Sequence, residues 1–154
     1  MLVLTRQKLP IIDRNNVAAA EGVLKGAYIL SKEEGERPDV ILIATGSEVQ
    51  LILEAQQSLK KGKIDARVVS MPSWELFRMQ EQNYRDEVLP PDIKTRLAVE
   101  AASPHGWYEW IGDSGKIIAI NHFGTSAPAK EIFKQYGFTP ENVVNTVKKM
   151  LVKS

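Results

Sequence analysis

Apolar residues along this chain gather into short, dense runs separated by stretches with helical spacing. "DVILIAT" (39–45), "DARVVSM" (65–71), "TRLAVEA" (95–101) and "KIIAI" (116–120) are rich in Val, Ile and Ala and read as strands. Runs this short and this continuously apolar predict strands covered on both faces, as in a parallel sheet held between helix layers. After the first run come Gly46, Ser47 as the expected N-cap and Glu48 in the first turn. An apolar stripe of Val49, Ile52, Leu53 and Leu59 follows and ends near Gly62. This is a strand, turn and helix unit. "GAYILS" (26–31) reads as a further strand, and only "KEEGERP" separates it from Asp39. A parallel crossover needs about a dozen residues, so this strand is expected to run antiparallel to its neighbour, at an edge of the sheet.

The chain closes with two amphipathic helices. In the first, Ser126 is the expected cap, Ile132, Phe133 and Tyr136 share one face, and Gly137 is the stop. In the second, Thr139, Pro140 and Glu141 supply N-cap, first-turn proline and first-turn acid, and Val143, Val144, Val147 and Leu151 face inward. Each choice follows helix-end chemistry: a side-chain oxygen for free N–H groups, a proline where no donor is needed, an acid near the positive end.

Composition narrows the picture mainly by exclusion. A chain of 154 residues can bury a core as one domain without disulfides or metals. With 20 Lys and Arg against 19 Asp and Glu, it offers no electrostatic reason to expect nucleic acid or a membrane surface as partner. The absence of cysteine excludes a disulfide framework, thiolate metal ligands and thiol catalysis, and fits the cytoplasm. No apolar run has the length to span a bilayer and no secretory leader is evident, so a soluble, unexported protein is expected. Residues 7–16, with Pro10, Asp13, Asn15 and Asn16, form the one loop-like stretch suited to an interdomain connection.

Three features could carry chemistry. Gly46 and Ser47 open a helix directly after a parallel strand, where free N–H groups favour an anion, so they form a candidate weak anion site. Against that, Glu48 would repel an anion, and backbone conformation for Gly46 and capping for Ser47 are the expected roles. His105 and His122 each follow a strand and could be an acid–base pair, but no triad or metal-ligand arrangement accompanies them, so surface histidines are expected. "GWYEWIG" (106–112) could be a base-stacking platform; with no basic groove beside it, core or interface packing is expected instead.

Several strings taken together, in order along nearly the whole chain, resemble one family: "LTRQ" (4–7), "PDVILIATGSEV" (38–49), "RVVSMPSWELF" (67–77), "YRDEVLP" (84–90), "AVEA" (98–101), "FGTSAPA" (123–129) and "YGFTPENVV" (136–144). The chain resembles the C-terminal domain of transketolases. That resemblance implies a three-layer α/β/α domain whose five-stranded mixed sheet has four parallel strands and one antiparallel edge strand. It divides the chain into residues 1–16, the last strand of a preceding pyrimidine-binding domain with its linker, and residues 17–154, the C-terminal domain. It implies an enzyme that moves a two-carbon ketol unit between sugar phosphates in the pentose phosphate pathway, using thiamine diphosphate and Mg2+, as a homodimer. The N-terminal and pyrimidine-binding domains are the expected partners.

Within that resemblance, the Arg of "LTRQ", Arg6, lines the substrate channel and grips the sugar phosphate, a role suited to a planar guanidinium fork. The family's metal and diphosphate motif, Gly-Asp-Gly followed at a distance by Asn, has no counterpart; "GDSG" (112–115) reads as a polar turn before the strand at Lys116. The catalytic Glu of the family belongs to the middle domain. The chain is therefore expected to have a structural, dimer-organising role, with no catalytic residue and no bound cofactor or metal of its own, and to be inactive alone. Two alternatives stay open: a stand-alone small-molecule or anion-binding module using the Gly46 turn, or the same domain of another thiamine diphosphate enzyme. "SMPSWELF" and "GFTPENVV" favour transketolase over a dehydrogenase β subunit or a deoxyxylulose phosphate synthase, whereas dihydroxyacetone synthase is not separated.

Overall fold

A computed structural model of the chain describes residues 8–123, 125 and 128–152. Arg6 and Ser126 lie outside the described residues. Five strands, β1 (Tyr28–Ser31), β2 (Val40–Ala44), β3 (Ala66–Ser70), β4 (Arg96–Glu100) and β5 (Lys116–Ala119), form one sheet in the order β1-β3-β2-β4-β5. β1 pairs antiparallel with β3 at one edge, and the other pairings are parallel. The antiparallel edge strand is as expected; its neighbour is β3 rather than β2, the strand that follows it in sequence.

Strand alternation divides the core into two layers. Val40, Leu42, Ala44, Val68, Leu97 and Val99 point to one face, covered by α1 (Glu48–Lys61) and α6 (Pro140–Leu151), with Phe138 after α5 (Ala129–Gln135). Ile41, Ile43, Val69 and Ala98 point to the other, covered by α2 (Trp74–Arg78), α3 (Gln82–Val88) and α4 (Tyr108–Ile111). All five residues of β2 are buried, which is why its sequence shows no alternation of apolar and polar.

The long helices follow the sequence expectation in their stripes. α1 buries Val49, Ile52 and Leu59, while Leu53 is half-buried. α6 is capped by Thr139, whose Oγ1 accepts from the Asn142 N–H at 3.2 Å, and it buries Val143, Val147 and, unforeseen, Met150. The N-cap position of α5 is Pro128. Helices α2, α3 and α4 and a 3-10 helix (Ala20–Lys25) were not evident from pattern. Among the described residues, no helix is long and apolar enough to cross a membrane.

Residues 8–17 are docked on the domain. The Ala18 N–H donates to Leu30 O at 2.8 Å, Gln50 Nε2 donates to Pro10 O, and Arg14 Nη1 donates to Ala18 O at 2.7 Å. Ile12 and Val17 pack against the α1 and α6 side of the core. This loop-like stretch is held by apolar burial as well as by hydrogen bonds.

Candidate functional site

The strand order creates one place where connections leave in opposite directions. From β2 the chain moves to β3 on one side and later returns to β4 on the other, so the carboxyl ends of β2 and β4 flank the topological switch point, where open α/β sheets receive ligands. Ala44 pairs with Val99, which sets the Gly46 turn beside the exit of β4 at Glu100 and Ala101.

Gly46 has φ +56°, in the left-handed region that favours glycine, and a Cβ there would meet nothing within 4 Å. Conformation and not space therefore selects glycine, as expected. Ser47 differs from the expectation. Its backbone is already helical (φ −68°, ψ −25°) and its side chain caps no N–H. An N-cap oxygen reaches the N2 or N3 donor from an extended backbone, which Ser47 lacks. Its hydroxyl instead donates to Glu48 Oε1 at 2.5 Å.

Glu48 is only 4% exposed and is more than a first-turn acid. Its carboxylate also accepts the Ala101 N–H, so it bridges the start of α1 to the end of β4. Burial pushes its carboxyl above the ordinary glutamate range, against the opposing pull of these hydrogen bonds. Glu100, half-buried at the end of β4, is pushed up to about 7, first by burial and then by the charge of Glu48. The donors that could greet an anion at the Gly46 turn thus include one already used by a carboxylate of the chain itself.

The remaining candidates do not converge on this crevice. His105 and His122 are both exposed. His122 Nδ1 lies 2.9 Å from Phe123 O, and its ring stands edge-on to Tyr136 with centroids 4.5 Å apart. Trp107 and Trp110 are buried and belong to the α2–α4 layer, where Trp107 meets Trp74 edge-on at 5.2 Å and Trp110 meets Phe77 at 5.3 Å. They are core, as expected, while Tyr108 is exposed. "GDSG" is a turn between α4 and β5, closed by the Gly115 N–H donating to Gly112 O at 3.3 Å. Among the described residues, no three His, Asp or Glu side chains gather as a metal site.

Sequence reasoning missed that the charge of Glu48 acts on Glu100. The available signal was an acid at the end of an otherwise apolar strand, since a carboxylate in that position needs a reason.

A three-layer domain with this strand order and antiparallel edge defines the class, and comparison with known proteins gives the family. Residues 26–139 match the transketolase-like TK C-terminal domain, and the chain belongs to that family. It is 51% identical over 146 residues to the transketolase of Aquifex aeolicus (strain VF5), covering 95% of this chain and 21% of that protein. It is 51% identical over 152 residues to the transketolase of Bacillus subtilis (strain 168), covering 99% and 23%. Among solved structures, the transketolase of Pichia stipitis in complex with sedoheptulose 7-phosphate superposes with a TM-score of 0.84 at 36% identity, over 96% of this chain and 20% of that one. The transketolase of Leishmania mexicana gives 0.78 at 36% identity, over 86% and 19%. The chain spans about a fifth of the length of these relatives.

Proposed function

We propose that the chain serves as the C-terminal domain of a transketolase acting in the cytoplasm, and that it supplies structure and dimer organisation while catalysis resides elsewhere in the enzyme. The observation that carries this reading is the match of 99% of the chain, at 51% identity, to less than a quarter of a transketolase. In that reading, residues 1–16 close the pyrimidine-binding domain and form the linker, and residues 17–154 are the C-terminal domain. The whole enzyme uses thiamine diphosphate and Mg2+ to transfer a two-carbon ketol unit between sugar phosphates, and the Pichia stipitis relative in complex with sedoheptulose 7-phosphate supports that substrate class. Arg6 is the residue of this chain proposed to hold a substrate phosphate.

Leu24 of the 3-10 helix and Leu76 and Met79 of and beside α2 are exposed apolar side chains on two elements that touch, at 77%, 41% and 80% exposure. They support a surface used for packing against the rest of the enzyme. The rival reading, an anion sensor at Gly46 and Ser47, has against it that the Ser47 hydroxyl already serves Glu48. Titration calorimetry of the chain with thiamine diphosphate and magnesium tests the proposal. No saturable heat is expected, and binding at micromolar strength, roughly −8 kcal/mol, would overturn it.

A further inference from the structure

We propose, resting on the reading of the chain as one domain of a transketolase, that the layer of the 3-10 helix, α2 and α4 is the face on which this domain seats against the preceding domains of that enzyme, and that the α1 and α6 layer is its outer face. The two helix layers differ in what they show to water. Of the nine large apolar side chains exposed among the described residues, five belong to the first layer: Val23 and Leu24 of the 3-10 helix, Leu76 of α2, Met79 at its end and Tyr108 of α4. None lies within α1 or α6, whose exposed positions are polar, among them Glu54, Lys60, Lys61, Glu141, Lys148 and Lys149. Interface cores favour aromatic residues, Met and Arg and disfavour Lys and Glu, so composition sorts the two layers the same way.

The elements that carry these side chains are locked to one another. The Ser73 N–H donates to Gly26 O at 3.0 Å, and a Cβ on Gly26, which has φ +83°, would come within 2.3 Å of the Phe77 backbone nitrogen. The end of the 3-10 helix is thus pressed onto the backbone of α2, which only glycine permits. Arg78 Nε donates to Glu109 Oε1 at 2.8 Å, and the Arg78 guanidinium lies 5.5 Å from the centre of the Trp110 ring, which ties α2 to α4 next to Met79 and Tyr108. An apolar surface held in shape and left open to water marks a partner site. The relatives indicate the partner: the chain spans about a fifth of their length, so about four-fifths of such an enzyme lies outside it and has to meet this domain on some face.

The test is oxidative footprinting by hydroxyl radicals, read by mass spectrometry, on the 154-residue chain and on a Bacillus subtilis transketolase in which this chain replaces the matching part. Met79, 80% exposed, and Tyr108, 63% exposed, should be oxidised readily in the chain alone, with Met71, 1% exposed, as the buried reference. In the chimera their oxidation should fall about tenfold, as for side chains passing from open surface into an interface core. Acetylation of Lys60 and Lys148 should be equal in the two. Leu24→Asp should leave the urea midpoint of the chain unchanged and restore oxidation of Met79 in the chimera. Met79 and Tyr108 oxidised equally in the chain and in a dimeric, active chimera would overturn the proposal while leaving the transketolase reading in place. Protection of Met79 without ketol transfer would support this face and count against that reading. Protection of Met79 already in the chain alone, lost on dilution as a dimer dissociates, would also overturn the proposal, because the face would then belong to a second copy of this domain.

Discussion

Arg67 and Glu33 form a buried, two-pronged ion pair at the antiparallel edge of the sheet: Arg67 Nε donates to Glu33 Oε2 at 2.8 Å and Nη2 to Oε1 at 2.5 Å. Their side chains are 8% and 1% exposed. Arg67 Nη1 also donates to Glu87 O at 2.6 Å and Val88 O at 3.3 Å, so one guanidinium joins β3, the segment after β1 and the end of α3. Removing one partner strands the other in the core. Arg67→Met should cost about 3 to 5 kcal/mol, whereas replacing both residues by apolar ones of similar size should cost far less. Urea denaturation of the two single variants and the double variant checks this.

The same pair sets an acid limit. Burial pushes the Glu33 carboxyl up, but the hydrogen bonds and charge of Arg67 outweigh it and hold it below the ordinary range. Below the pKa of an unfolded glutamate, the unfolded chain therefore binds more protons, and this contribution to stability drains away as pH falls through the lowered pKa. Above that range it is fully present. Charge-neutral variants of the pair should show a flatter loss of stability in acid.

Arg96 predicts a different sensitivity. It has four carbonyl partners, Ile93 O at 2.9 Å, Trp110 O at 2.7 Å, Leu89 O at 3.1 Å and Pro90 O at 2.7 Å. These tie the loop before β4 to the end of α4. Burial lowers its pKa, yet a guanidinium stays charged and keeps its fan of donors. A lysine has the charge without the fan, so Arg96→Lys should still destabilise by about 2 to 3 kcal/mol. A shift in denaturation midpoint with an unchanged slope is the expected result.

What pattern made legible, and what it did not, divides along physical lines. β2 and β3 declare themselves because burial on both faces leaves a continuous apolar run, and α6 because its cap and stripe span three turns. α2, α3 and α4 have at most seven residues, too few for a helical period to emerge from their composition. The influence of Glu48 on Glu100 depends on β4 lying beside β2, and strand order is a tertiary fact. Ser47 shows the limit of reading caps by residue type, because the deciding variable is a backbone angle. Arg67 and Arg96 sit within strands that otherwise read as apolar, and their roles come from carbonyls and a carboxylate that the fold brings to them.

Arg6 carries a prediction on function. If Arg6 holds a substrate phosphate as proposed, Arg6→Ala in a full-length transketolase carrying this domain should remove charge-assisted hydrogen bonds to that phosphate, about 1.5 to 3 kcal/mol. That lowers kcat/KM for phosphorylated sugars about ten- to a hundredfold. Unphosphorylated acceptors should be nearly unaffected. A misfolded variant would lose both alike, so steady-state kinetics with the two substrate classes separates a phosphate grip from general damage.

The most direct measurement replaces the matching C-terminal part of the Bacillus subtilis transketolase with this chain and assays ketol transfer between sugar phosphates. If the chain supplies domain packing and dimer organisation, the chimera should be dimeric, bind thiamine diphosphate, and transfer ketol units within about tenfold of the parent, ~1.4 kcal/mol in barrier. A folded, dimeric chimera that binds thiamine diphosphate normally but shows no transfer would contradict the account, because this chain would then lack something that a transketolase C-terminal domain provides.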